Sequence, residues 1–351
     1  MIPLLVRFGR IGDMVLQAPL LHLLAARYGH PCRLLGAGAW SGELYAAHPD
    51  VADVWQLRAR HRPLLASPEQ WRLALRLRDH SGPVYVSEDA PNQVLRIRRL
   101  LHLAGIRNER CTYLADQPRR AEHWVDRLLQ FGCDTPAFAR GLARAARPGD
   151  YQSAPRLYVG DADRVDCRMW LQQRGLDGGR VVLLQPGNKR TTKWRLGRAR
   201  DAKQWPEENW CALLRGIRRE FADAQIVLCG APAEQEMLRQ ITRASRCDVL
   251  IATHDLPLRR LMALMTFAHS MVAVDTGPAH MAAALGCPLV VLYGDESPRC
   301  WSRRSASGKP VIELGGAPHM RIMDIGVDDV LRAWRQVAAV ATSARRVAAV
   351  G

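Results

Sequence analysis

Six consecutive residues, Asp275-Thr276-Gly277-Pro278-Ala279-His280, have the make-up of an anion-binding helix start. They follow an apolar run at 271–274, and Pro278 falls near the first helical position, where its missing N–H costs nothing. The unpaired N–H groups and partial positive charge of a helix N-terminus suit a phosphate. Gly277 lets a ligand approach the backbone, and Thr276 and His280 add side-chain donors. The bland alternative is an ordinary helix capped by Asp275 or Thr276. A second loop, residues 185–205, carries Pro186-Gly187, then Asn188-Lys189-Arg190-Thr191-Thr192, then Lys203 before Trp205-Pro206. Hydroxyls beside flexible point charges are what a diphosphate leaving group needs, although a solvated basic loop has the same composition. Glu234, in Gly230-Ala231-Pro232-Ala233-Glu234, is placed either to accept from ribose hydroxyls or to stabilise a helix start. Near the N-terminus, Asp13 sits where the first strand turns into the first helix. A carboxylate there caps the helix or, with a hydroxyl held against it, serves as a base.

These loops need strands and helices to hold them, and the apolar pattern supplies two alternating series. The first reads as strand 2–8, helix 14–28 ended by Gly29, strand 33–35, strand 84–87, and helices 95–104 and 121–131. The basic stretch 58–78 has no clear period. After a linker-like run at 147–155 and a helix over 161–173, the second series begins. It reads as strand 180–185, helix 206–221, strand 225–229, helix 233–244, strand 248–251, helix 256–268, strand 271–275, helix 278–285 and strand 288–293. An amphipathic helix at 327–341 closes it. Two βαβ series predict two parallel sheets, and ligands of such sheets bind at the carboxyl ends of strands. Gly36-Ala37-Gly38-Ala39-Trp40-Ser41-Gly42 resembles a dinucleotide fingerprint, which would make the chain a nicotinamide oxidoreductase. Its third glycine is one residue late, and it follows the second strand where that fingerprint wants the first.

Composition narrows the classes. The chain has 351 residues, 48% of them apolar, enough for two domains with a sizeable core. Residues 270–294 are poor in charge but contain Asp275, Pro278 and Pro288, which argue against a membrane span. Nine scattered cysteines without a CxxC give no metal spacing and read as reduced thiols. The net charge of +16 favours anionic partners, and a binding-only protein for nucleic acid or anionic membrane would also explain it.

Taken in order, Arg7-Phe8-Gly9-Arg10-Ile11-Gly12-Asp13-Met14-Val15-Leu16-Gln17-Ala18-Pro19, His48-Pro49, Pro186-Gly187, Lys203-Gln204-Trp205-Pro206 and Asp275-Thr276-Gly277-Pro278-Ala279-His280 resemble the bacterial lipopolysaccharide heptosyltransferases of glycosyltransferase family 9. The resemblance spans roughly residues 1–55 and 180–300. It implies an α/β GT-B fold, two Rossmann-like domains facing across a cleft. It also implies an acceptor-binding domain at 1–155, a nucleotide-sugar domain at 156–326, and a terminal helix, 327–351, packing back toward the first domain. The implied activity is inverting, metal-independent transfer of heptose from ADP-heptose to an anionic inner-core glycolipid, the alternative being a family member that uses a different nucleotide sugar or a non-lipopolysaccharide acceptor. The enzyme would be cytoplasmic, in peripheral contact with the inner membrane, with no cofactor and no nucleic-acid partner. By the same resemblance Asp13 is the general base. Thr191, Thr192, Lys203, Glu234, Leu256, Asp275, Thr276, Gly277 and His280 are donor contacts, and Arg7, Arg10 and Arg60 are acceptor contacts. Gln185 departs from the family, standing where a His commonly precedes Pro-Gly; Arg10 occupies a position that is often small.

Overall fold

A computed structural model describes residues 1–58, 67–118, 121–188, 204–294, 298–305, 307–316 and 318–350, excepting the side chains of 298–299 and 343–350. The chain divides into two compact units, Met1–Tyr158 and Val159–Gly351. Among the described residues each unit is one parallel sheet covered by helices.

The first sheet contains β1 (Leu4–Arg7), β2 (Cys32–Ala37), β3 (Val51–Leu57), β4 (Val84–Val86) and β5 (Cys111–Tyr113), in the order β3-β2-β1-β4-β5. Leu4, Leu5 and Val6 are fully buried, as a central parallel strand with both faces covered requires. The helix expected over 14–28 is two helices, α1 (Ile11–Val15) and α2 (Ala18–Tyr28). Pro19 has no N–H to give the carbonyl of Val15, so the chain breaks at Leu16-Gln17 and restarts with Pro19 in the first turn. Gly29, at φ 70°, ends α2 in the left-handed conformation that favours glycine. Three further helices complete the well-patterned part of this unit: α3 (Trp40–Tyr45), α4 (Pro68–Arg78) and α5 (Pro91–Leu103); α6 (Trp124–Cys133) follows. The last part of the basic stretch 58–78 is α4, whose buried apolar strip is only Leu73, Ala74 and Leu77.

α7 (Asp161–Gln172) opens the second unit. Its sheet holds β6 (Arg180–Gln185), β7 (Ala224–Cys229), β8 (Leu250–Ala252), β9 (Ser270–Val274), β10 (Leu289–Leu292) and β11 (Val311–Leu314), in the order β11-β10-β9-β6-β7-β8. The helices between are α8 (Glu207–Glu220), α9 (Gln235–Ser245), α10 (Leu258–Phe267), α11 (Gly277–Ala284) and the short α12 (Pro298–Trp301). The terminal helix is α13 (Val327–Val350). Its described side chains pack on the second unit, with Val330, Trp334, Val337 and Ala338 buried against α8, β9 and β10. Gly216 on α8 makes room for this: a Cβ there would lie 2.6 Å from a methyl of Leu331. Trp334 donates to Ser270 Oγ at 3.0 Å, which fixes the helix against the sheet. No helix among the described residues is long and apolar enough to cross a membrane.

In each sheet the strand order reverses once, between β1 and β4 in the first and between β6 and β9 in the second. Helices leave on opposite sides at such a point and open a crevice beyond the carboxyl ends of the strands. Asp13 lies just beyond β1, while Pro186-Gly187 and Asp275-Thr276-Gly277 lie just beyond β6 and β9.

Two buried imidazoles tie the first unit together. His48 accepts from Asp50 N–H at 3.2 Å, lies 3.2 Å from the carbonyl of Arg156, and stacks edge-on to Tyr45 and Tyr158. Burial pulls its pKa down to about 4. His80 is likewise pulled down to about 4, by burial and then by Arg33 and Arg110. Between pH 6.5 and about 4 the unfolded chain takes up protons that these folded imidazoles refuse, so stability falls as pH falls through that window. The loss should be on the order of 3 kcal/mol per imidazole. Urea unfolding at stepped pH checks this: His48→Asn should flatten the slope, and a slope equal to wild type would remove His48 from the account.

Candidate functional site

In the second unit, the structure brings together several of the residues that the sequence singled out. Glu234 stands on a short 3-10 turn after β7; it is 4% exposed, and its Oε2 accepts from Ala231 N–H at 2.7 Å. Burial pushes its carboxyl up from the usual range. The Pro186-Gly187 turn lies directly against it. A Cβ on Gly187 would overlap the carboxylate, and one on Gly230 would lie 3.1 Å from Oε2. Gln185 is buried, and its side-chain amide donates to the carbonyl of Gly187 at 3.2 Å, bracing the same turn. The loops after β6 and β7 therefore form one wall around a buried carboxylate.

The loop after β9 follows the strand on the other side of β6 from β7. Thr276, in extended conformation, caps α11: its Oγ1 accepts from Ala279 N–H at 3.4 Å, and Pro278 occupies the first turn. Gly277 opens the helix and His280, one turn in, is buried. Of the two capping candidates Thr276 holds the position, which leaves Asp275 for another task. The Asp275 carboxylate is ion-paired with Arg303, whose side chain is 1% exposed. The same guanidinium meets Tyr293 Oη, lies 3.9 Å from Glu313 Oε1, and stacks 4.8 Å from the Tyr293 ring centre. Glu313 Oε1 in turn accepts from Arg303 N–H at 2.8 Å and from Tyr293 Oη–H at 2.9 Å. Asp275 is thus an anchor that draws the β9–α11 turn onto the β10–β11 side. Arg303 escaped the sequence reading because it lies 28 residues from its partner, where no local pattern connects them. Leu256 sits half-buried in the turn before α10, two residues short of the helix start expected for it. Thr191, Thr192 and Lys203 lie outside the described residues.

Asp13 of the first unit is on α1, with its side chain 29% exposed. Oδ2 accepts from Arg10 N–H at 2.7 Å, Oδ1 is 3.8 Å from Arg7 Nη2, and the Asp13 carbonyl accepts from the Gln17 amide at 3.0 Å. Gly9 is required at the turn: a Cβ there would lie 2.5 Å from that of Asp13. Arg7 is not the exposed cation that an acceptor contact implies. It is 5% exposed, donates to Ser87 O at 2.7 Å, and approaches Glu88 at 3.4 Å and Asp89 at 3.5 Å. Its guanidinium also lies 5.1 Å from the Trp124 ring centre. Arg7 therefore positions Asp13 from beneath, whereas the Arg10 side chain is exposed. Arg60 lies outside the described residues. The glycines of 36–42 have a packing explanation. A Cβ on Gly36 would lie 2.8 Å from Ser41 Cβ, and one on Gly38, at φ +87°, 2.7 Å from Trp40 Nε1, so this turn folds on itself.

Comparison with known proteins places this architecture. Residues 186–318 match glycosyltransferase family 9 (heptosyltransferase). Lipopolysaccharide heptosyltransferase 2 of Escherichia coli strain K12 is 26% identical over 303 residues, 82% of this chain and 81% of that protein. Among solved structures, E. coli ADP-heptose lps heptosyltransferase II superposes with a TM-score of 0.73 at 21% identity, covering 97% of this chain and 99% of the other. E. coli heptosyltransferase WaaC with ADP superposes at 0.68 with 20% identity, covering 96% and 100%. The two parallel sheets belong to the GT-B fold class of these structures.

The Arg303 anchor is open to a direct test. Arg303→Met leaves the half-buried Asp275 and Glu313 without their cation, which should cost about 3 kcal/mol of unfolding free energy. Denaturant titration reads the loss; an unchanged midpoint would mean that the pair holds nothing in place.

Proposed function

We propose that this chain, a heptosyltransferase-like glycosyltransferase of family 9, moves heptose from ADP-heptose to an anionic lipopolysaccharide inner-core glycolipid. The transfer would take place at the cytoplasmic face of the membrane. One observation carries the reading: each sheet presents a chemically apt group where its strand order reverses, a half-open carboxylate beyond β1 and a helix N-terminus beyond β9. An inverting transfer needs a base on one side of the anomeric carbon and a stabilised leaving group on the other. Relatives named for ADP-heptose or bound to ADP support the choice of donor.

In the proposed reaction Asp13 takes the proton of an acceptor hydroxyl as that oxygen attacks the anomeric carbon. The bond from this carbon to the diphosphate oxygen breaks with inversion, and its electron pair leaves on ADP. The Gly277 N–H, with Thr276, His280, Lys203, Thr191 and Thr192, receives the charge that develops on the diphosphate. Glu234 accepts from the ribose, Leu256 lies against the adenine, and Asp275 holds the loop through Arg303. Arg10 and Arg60 face the anionic acceptor, whereas Arg7 steadies Asp13. Holding both substrates in line supplies about 7–11 kcal/mol of the barrier reduction, more than any single contact. The first 153 residues carry 21 arginines against 14 acidic residues, in keeping with an acceptor rich in phosphates and carboxylates.

Thermal shift with ADP, UDP and GDP tests the donor. ADP at about a hundred times its Kd should add about 2.7 kcal/mol of stability, and stabilisation by UDP alone would overturn the heptose assignment. Asp13→Asn should keep the ADP shift and lower turnover at least about a hundredfold, whereas His280→Ala should weaken the shift itself. Near-normal turnover by Asp13→Asn would remove the base role from this residue.

A further inference from the structure

Helices α4 and α5 cover the same face of the first sheet. Leu73, Ala74 and Leu77 of α4 and Val94, Ile97 and Leu100 of α5 share one core with Val6, Leu35 and Val86. Their outward sides are not purely polar. Trp71 and Leu75, one turn apart on α4, are 40% and 59% exposed, and Leu95 on α5 is 48% exposed. Arginines surround them. Arg76 is tied to Asp53 and Arg98 to Asp116, but Arg72, Arg78 and Arg99 are exposed and make no ion pair among the described residues. The acidic residue of these two helices, Glu69, has its Oε1 accepting from Arg58 N–H at 2.6 Å.

We propose that this α4–α5 face docks the protein on an anionic lipid bilayer. A tryptophan ring seats at headgroup depth, leucines reach the acyl boundary, and guanidiniums fork onto lipid phosphates. Each class of exposed side chain on this face then has a use. A second copy of the chain is disfavoured, since two such cationic faces repel. Phosphate binding to a nucleic acid would use the arginines and leave the leucines without a role. The proposal deepens the reading above, and rests on it for the reason why a bilayer is visited: a lipid-borne acceptor.

Co-sedimentation of the full chain with vesicles tests it. Phosphatidylcholine mixed with phosphatidylglycerol should bring the protein down, and phosphatidylcholine alone should not. Trp71→Ser/Leu75→Ser/Leu95→Ser and Arg72→Glu/Arg78→Glu/Arg99→Glu should each weaken partitioning at least about tenfold, with the unfolding midpoint and the ADP shift retained. Asp13→Asn should partition like wild type, so the catalytic reading and the docking surface stand or fall separately. Wild-type partitioning by both multiple variants would overturn the proposal. So would binding to a single-stranded oligonucleotide, sensitive to the arginine variant alone, by a protein that ignores vesicles.

Discussion

A guanidinium is buried among carboxylates at the reversal point of each sheet, and the candidate loops depend on these two pairings. Arg7 stands beneath Asp13 with Glu88 and Asp89 around it; Arg303 stands behind Asp275 with Glu313 and Tyr293. Taking such charges out of water is expensive, and their attraction does little more than repay it, so neither cluster is a strong source of net stability. Their effect lies in uniqueness of geometry. A loop that moved would leave an uncompensated charge in the interior, at a cost of several kcal/mol. The backbone beyond β1 and beyond β9 is therefore held in one arrangement before any ligand arrives. Preorganisation of this kind is what electrostatic stabilisation of a developing charge requires.

Much of this was legible in the sequence where burial leaves a one-dimensional trace. β1, β6, β9 and β10 are uninterrupted apolar runs because both of their faces are covered. The start of α11 was legible because a glycine, a proline and a hydroxyl have separate and strict uses in a helix's first turn. Edge strands were harder. β3 reads Val-Ala-Asp-Val-Trp-Gln-Leu, half-buried and without strict alternation, and β11 is half-buried throughout. α4 was hidden because three apolar residues suffice to seat it while arginines fill its outer face.

The site residues divide along the same line. The chemistry of Thr276, Gly277 and Glu234 is local, and their neighbours in sequence are their neighbours in space. The resemblance makes Arg7 an acceptor contact, yet its burial is decided by Ser87, Glu88 and Asp89, about eighty residues away in the loop after β4. The resemblance makes Asp275 a donor contact, while its ion-pair partner Arg303 lies 28 residues further on, past β10. Paired charges of opposite sign, distant in sequence, give no periodic signal, and the sign of a residue says nothing about the direction it faces. The terminal helix follows a similar logic: its apolar stripe specifies burial, and a glycine on α8 makes room for Leu331.

Glu234 shows why the proposed site would favour its ligand. Its carboxylate is enclosed by Gly187, Gly230 and Leu238, with the Ala231 N–H as a donor, and burial raises the cost of its charge. One backbone N–H offsets only part of that cost. A ribose in the proposed donor pocket would bring hydroxyls that donate to the ionised form and compensate what the protein leaves uncompensated. The two glycines matter for the same reason: a methyl group on either would press on the carboxylate and fill the space through which a sugar edge would approach. An exposed glutamate at that position would already be satisfied by water, and binding would then exchange one set of hydrogen bonds for another with little gain. Burial of the acid, costly in itself, would make hydrogen bonds to the proposed donor worth forming.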